Sequence, residues 1–280
     1  MSQFRRAKQR QWESEVSPWM LGTGEIRRPL AGRSQSGRAR PFIIEAQGER
    51  HLLFSHDSVQ SSMRLDDPYA LACEYTRRMM AFLLFVPEPR EIVMIGLGGG
   101  SLAKFCYRHL PDARFIAVEI DADVIALRDE FHIPFDDERF RVVHGDGARY
   151  LAQRSEPIDV LLVDAFDAEG IAPSLASGGF YRHAAAKLSA DGIFVMNFSG
   201  EPSRYDAHLK LIHDAFGIGT VMASVMSGQN DILFAFKTPP RVQRSVLDQR
   251  AVALGAQHGL DFLSYLRWLR IADEEGIIAA

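Results

Sequence analysis

Two carboxylates, Asp164 and Asp167, stand three positions apart at the end of the apolar run "IDVLLVDAF". A run of that length and composition reads as a buried strand, which places both acids where its carboxyl end meets solvent. An acid pair there can hold an amine and take its proton as the nitrogen attacks carbon. The plainer reading, a helix cap and a loop charge, is weaker because Asp167 opens a long loop, residues 167–179, suited to close over a ligand.

Three further groups share that geometry. The stretch "MIGLGGGSLAKF" sets Gly96, Gly98, Gly99 and Gly100 between a β-branched run and a helical pattern. Bare backbone lets a ligand approach closely, and free N–H groups at a helix start favour a polar one. Glu119 ends the next apolar run, "RFIAVEI", about 20 residues on, where an acid can accept both hydroxyls of a ribose. Asp121 is better placed to cap the following helix. "VVHGDGARYL" then puts Asp146, with Gly147 after it, just past a third strand, where a carboxylate can accept from an adenine amino group. A helix cap in a Gly-Asp-Gly turn is the competing role for Asp146.

A dinucleotide site shares part of this set. Counted from Gly96, however, its last glycine position falls on Ser101, and hydride transfer has no special need for an acid at Asp146. A sulfonium nucleoside uses all three groups. His144 reads as a core histidine, Arg182 and His183 as solvated, and "DFLSYLRWLR" as packing or a subunit contact.

The elements that must position these residues alternate strand and helix from Glu91 onward: "EIVMI", "RFIAVEI", "FRVVH", "IDVLLVDAF" and "GIFVMNF", with helices between. That alternation predicts a parallel sheet covered on both faces. "GTVMASVM" and "DILFAFK" read as a closing antiparallel hairpin, and a last amphipathic helix is expected near residues 258–272. Upstream, "PFIIEA" and "RHLLFS" form a predicted hairpin, and "DPYALACEYTRRMMAFLLF" a helix. The expected division is a flexible basic leader over 1–40, a hairpin-and-helix element over 41–88, a nucleoside-binding transferase domain over 89–240 and a helical extension over 241–280.

Composition sets outer limits. The 280 residues carry 32 basic and 36 acidic groups, a net charge of −4 that argues against a general nucleic-acid binder. Cys73 and Cys106 have no metal-type spacing, so no metal is expected. No apolar run approaches membrane-spanning length and no signal-type stretch opens the chain, which points to a soluble cytoplasmic protein.

Residues 41–237 resemble the spermidine synthase family, the polyamine aminopropyltransferases. The matching stretches are the glycine turn with Ser101-Leu102, "VEID" at 118–121, "GDG" at 145–147, and "VDAFDAEGIAPSLASGGFY" at 163–181. "HDSVQSSMRLDDPY" is similar to a segment that carries a substrate-site glutamine and, nine residues on, a tyrosine, which implies those roles for Gln60 and Tyr69. The resemblance implies an α/β fold: a Rossmann-like, class I methyltransferase-type sheet with a small N-terminal β-domain. It implies a homodimer acting on a polyamine such as putrescine, with decarboxylated S-adenosylmethionine as co-substrate.

In that reading Asp164 is base and amine anchor, and Asp167 holds the cation with Gln60 and Tyr69. Glu119 binds ribose, Asp146 adenine, and Gly96, Gly98, Gly99, Gly100 and Gly147 shape the donor site. Two departures stand out. Gly98 occupies the place of the family's glycine-turn aspartate, and Ala70 that of a histidine. An aspartate at 98 would attract the donor's terminal ammonium and repel the carboxylate of ordinary S-adenosylmethionine. Its absence leaves open a methyltransferase using S-adenosylmethionine, or a non-catalytic nucleoside-binding relative.

Overall fold

The computed structural model describes residues 25–28, 40–55, 58–167, 170–199, 205–217, 220–224, 230–271 and 278–279. The basic cluster at Arg5, Arg6, Lys8, Arg10, Arg33 and Arg38 lies outside the described residues.

An antiparallel sheet opens the structure: β1 (Glu25–Arg28), β2 (Phe42–Ala46), β3 (Glu49–Ser55) and β4 (Ser58–Arg64), in that order. Gln47 and Gly48 join β2 to β3 with φ of 51° and 79°, the left-handed pair whose twist suits a two-residue hairpin. The expected hairpin is therefore present. β4 is not expected from the sequence, because "SVQSSMR" lacks an apolar alternation and is held by its pairing with β3.

Next come α1 (Glu74–Met79) and a 3-10 turn over Met80–Leu84, every residue of which is buried. The expected single helix is split, and it starts later than the pattern suggests. The Arg77 guanidinium donates to the Leu71 and Ala72 carbonyls at 2.9 and 3.1 Å, holding the preceding segment in a non-helical path.

The main sheet is built from β5 (Glu91–Ile95), α2 (Ser101–His109), β6 (Arg114–Glu119), α3 (Ala122–Ile125), β7 (Phe140–His144), α4 (Gly147–Gln153) and β8 (Ile158–Val163). Two two-residue strands, β9 (Phe166–Asp167) and β10 (Gly170–Ile171), pair in the following loop. Then come α5 (Gly178–Lys187), β11 (Leu188–Ser199), α6 (Asp206–Phe216), β12 (Thr220–Ser224), β13 (Asn230–Phe236) and β14 (Val242–Gln243). The chain closes with α7 (Arg244–His258), α8 (Phe262–Trp268), β15 (Leu269–Ile271) and β16 (Ile278–Ala279).

The sheet order is β15-β12-β13-β11-β8-β5-β6-β7. The strands from β11 to β7 run parallel, while β13 and β12 form the antiparallel closing hairpin. This is the expected Rossmann-like α/β sheet with a small N-terminal β-element. Side chains alternate between its two faces: Ile92, Met94, Val160 and Leu162 pack with α1, α2, α7 and α8, whereas Val93, Ile95, Leu161 and Val163 pack with α4, α5 and α6.

Candidate active site

The strand order reverses between β5 and β8, and the crevice outside the carboxyl ends of two such strands is where open α/β sheets hold ligands. The glycine turn leaves β5 at that point. Gly96 has φ of 91°, and a Cβ on it would lie 2.2 Å from the Asp164 carbonyl oxygen, so only glycine lets the two strand ends approach. Gly100, also left-handed, starts α2 beneath the Ile133 side chain, and Gly99 faces the Ser61 hydroxyl of β4. Gly98 is left-handed at 52° but open, with only Ser61 Cβ at 3.8 Å.

Glu119 ends β6 and is 8% exposed. Its Oε2 accepts from the Leu97 N–H at 2.8 Å and its Oε1 from the Asp121 N–H at 2.9 Å. Burial raises its pKa, and the hydrogen bonds from Asp121, Leu97 and Gly98 oppose the rise. Three main-chain donors leave about one of the carboxylate's four lone pairs for a further donor. Asp121 caps α3 through the Asp123 N–H at 2.8 Å, as expected, and the Ile120 side chain between the two acids is exposed.

Asp146 caps α4 through the Arg149 N–H at 2.8 Å, so the capping role weighed for it is real. The cap uses Oδ1. Gly147 is required by packing, since a Cβ there would lie 2.4 Å from Ile95 Cγ2 at the end of β5. His144 differs from its expected core role. It ends an edge strand, is exposed, and its Nε2 lies 3.2 Å from the Ile120 carbonyl.

Asp164 follows β8, its N–H bonded to the Ile95 carbonyl at 3.0 Å. Its carboxylate receives two neutral donors: Asn197 Nδ2 on Oδ1 at 2.9 Å, and the Tyr75 hydroxyl on Oδ2 at 3.1 Å. Asn197, 3% exposed on β11, in turn accepts from Asn230 Nδ2 of β13 at 2.9 Å. Burial pushes the Asp164 pKa up against the two donors, and it pushes Tyr75 well above its ordinary value. The Cys73 thiol, which precedes α1, is raised for the same reason. Asp164 is therefore a directional carboxylate held by neutral donors.

Gln60 is the extra residue of a β-bulge: Ser61 pairs with Leu52 and Val59 with Leu53. A bulge re-aims its side chain, and this one sits beside Ser61 at the glycine turn. The Tyr69 ring lies 5.1 Å from the Arg108 guanidinium in the last turn of α2. Asp167 sits in β9 opposite Gly170, and its side chain lies outside the described part. Sequence reasoning passes over Tyr75, Asn197 and Asn230. The available signal is a polar residue closing an otherwise apolar face, as in Ile193, Val195, Asn197 and in Asn230, Ile232, Phe234.

Among the described residues no group of acids, histidines and cysteines could hold a metal ion, and no helix is long and apolar enough to cross a membrane. A family model described as the spermine/spermidine synthase domain matches residues 73–215. A polyamine aminopropyltransferase of Neisseria meningitidis serogroup A is 38% identical over 243 residues, 86% of this chain and 92% of that protein. One of Chromobacterium violaceum is 34% identical over 235 residues, covering 83% and 90%. Among solved structures, a probable spermidine synthase from Corynebacterium glutamicum superposes with a TM-score of 0.66 at 20% identity, covering 89% of this chain and 93% of that one.

Proposed function

The chain belongs to the family of the spermine/spermidine synthase domain, and from that membership we propose that it transfers an aminopropyl group from decarboxylated S-adenosylmethionine to a small amine such as putrescine. The observation that carries the reading is Asp164, a carboxylate lifted by burial and aimed by two neutral donors, at the switch point that also holds the glycine turn and Glu119.

These residues fit an adenosyl donor. Glu119 keeps a lone pair for a ribose hydroxyl, Ile120 offers an exposed apolar side chain for a base, and Asp146 has an oxygen beyond the one its cap uses. In the transfer the amine nitrogen attacks the aminopropyl carbon bonded to the sulfonium. A C–N bond forms, the C–S bond breaks, and its electron pair stays on a thioether that leaves neutral. The leaving group needs no acid, so the chain's tasks are orientation, exclusion of water and removal of one amine proton. Asp164 takes that proton, and its raised pKa makes it a better acceptor than a solvated aspartate. Asp167 and Gln60 complete the amine site, with Tyr75 taking the hydroxyl role beside Asp164.

Methyl transfer from S-adenosylmethionine itself is the second reading, favoured by the lack of any carboxylate at Gly98. Calorimetric titration separates the two. Tighter binding of decarboxylated S-adenosylmethionine than of S-adenosylmethionine supports aminopropyl transfer, and the reverse order supports methyl transfer. The same reading carries a homodimer working in the cytoplasm, and light scattering reads the assembly.

A further inference from the structure

We propose that Asn197 and Asn230 are positioning residues for Asp164, a two-carboxamide relay that fixes the direction of its carboxylate without placing a charge beside it. The inference rests on the assignment of Asp164 as the proton acceptor.

The relay crosses three neighbouring strands on one face of the sheet. Asn197 follows Met196, which pairs with Val163, so it stands level with Asp164 on the next strand. Asn230 pairs with Ser199 and shares the face of Ile232, which lies opposite Asn197. The bonds are Asn230 Nδ2 to Asn197 Oδ1 and Asn197 Nδ2 to Asp164 Oδ1, each 2.9 Å.

Hydrogen-bond chemistry leaves one arrangement. An ionised carboxylate only accepts, so the Asn197 amide must turn its NH2 toward Asp164 and its oxygen toward Asn230. Flipping Asn197 would set two oxygens against each other at one contact and two NH2 groups at the other. Tyr75 holds the second carboxylate oxygen from α1, so the group is fenced at both ends and cannot turn. The other titratable group facing it is the Cys73 thiol, kept neutral by burial. Among the described residues no arginine, lysine or histidine forms an ion pair with Asp164. The contrast with a cation matters: a guanidinium in Asn197's place would hold the carboxylate at low pKa and take away its capacity to accept a proton. A carboxamide supplies direction and leaves that capacity in place.

The test compares three variants by steady-state kinetics from pH 5 to 10, scored by product mass. Asp164→Asn is expected to lose turnover. Asn197→Ala is expected to lower kcat about tenfold and move the acid limb of its pH profile upward by about one unit, with the KM for amine changed less than about threefold. Asn230→Ala, at a half-exposed strand end, should move the limb the same way by less, and carries the test should Asn197→Ala melt early. The double variant should be no worse than Asn197→Ala alone. If Asp164→Asn is inactive and the folded asparagine variants keep the parent acid limb, the relay is overturned while the base assignment stands. Retained turnover in Asp164→Asn overturns both.

Discussion

Burial and hydrogen bonding pull on Asp164 in opposite directions, and burial wins. A general base of this kind contributes about 10²–10⁴-fold. Asp164→Asn should therefore lower kcat within that range while leaving donor affinity nearly unchanged, which single-turnover kinetics and calorimetry read separately. Glu119 predicts the opposite pattern. Both its oxygens accept main-chain N–H groups, so Glu119→Gln sets an NH2 against one of them, at a cost of about 1–3 kcal/mol. Donor affinity and melting temperature should both fall, with kcat at saturating donor little affected. The acids are legible in the sequence because each follows an apolar run whose end can be read locally. Tyr75 and Asn197 are not, because they reach Asp164 across 89 and 33 positions of chain. Only the pairing of β11 with β8 and the packing of α1 on the sheet bring them together.

At the scale of elements, the glycine turn does two separable jobs. Gly98 needs a left-handed backbone in open space, so Gly98→Ala should cost about 1–2 kcal/mol and leave the site intact. Gly96 needs that backbone and also contact with the Asp164 main chain, so Gly96→Ala should cost more and abolish donor binding. Urea unfolding with calorimetry checks the pair, and equal losses would contradict this division. Strands β5 and β7 match their sequence patterns residue for residue because their apolar runs have clean polar ends. Helix α3 stops at Ile125. Beyond it the chain tightens into turns as Lys104 Nζ captures the Phe131 carbonyl at 2.7 Å and His132 takes φ of 53°. Helix α7 falls within the helical extension expected over 241–280, with a weak pattern of its own because its buried side is a narrow seam of Leu247, Ala251, Leu254 and His258. Gly259, at φ of 68°, ends it before Asp261 caps α8.

At the scale of the molecule, four histidines among the described residues, His51, His109, His208 and His258, have pKa values lowered from 6.5, with burial the leading cause in each. The unfolded chain then binds more protons than the folded one just below that value, so their contribution to stability is complete above pH 6.5 and is lost as pH falls through the depressed values. Melting temperature should fall as pH drops below about 6.5. His258→Phe should flatten that dependence, because His258 Nδ1 is buried with no hydrogen-bond partner among the described residues and the ring already packs beside Phe105 and Phe262. Glu119 and Asp164 act oppositely: their raised pKa values make them a cost at neutral pH that a bound ligand offsets. All these elements converge on one reaction. The most direct measurement is mass spectrometry of the products formed from decarboxylated S-adenosylmethionine and putrescine: the account predicts putrescine extended by one aminopropyl group together with methylthioadenosine. Absence of that product, with methylated amine formed from S-adenosylmethionine instead, would contradict it.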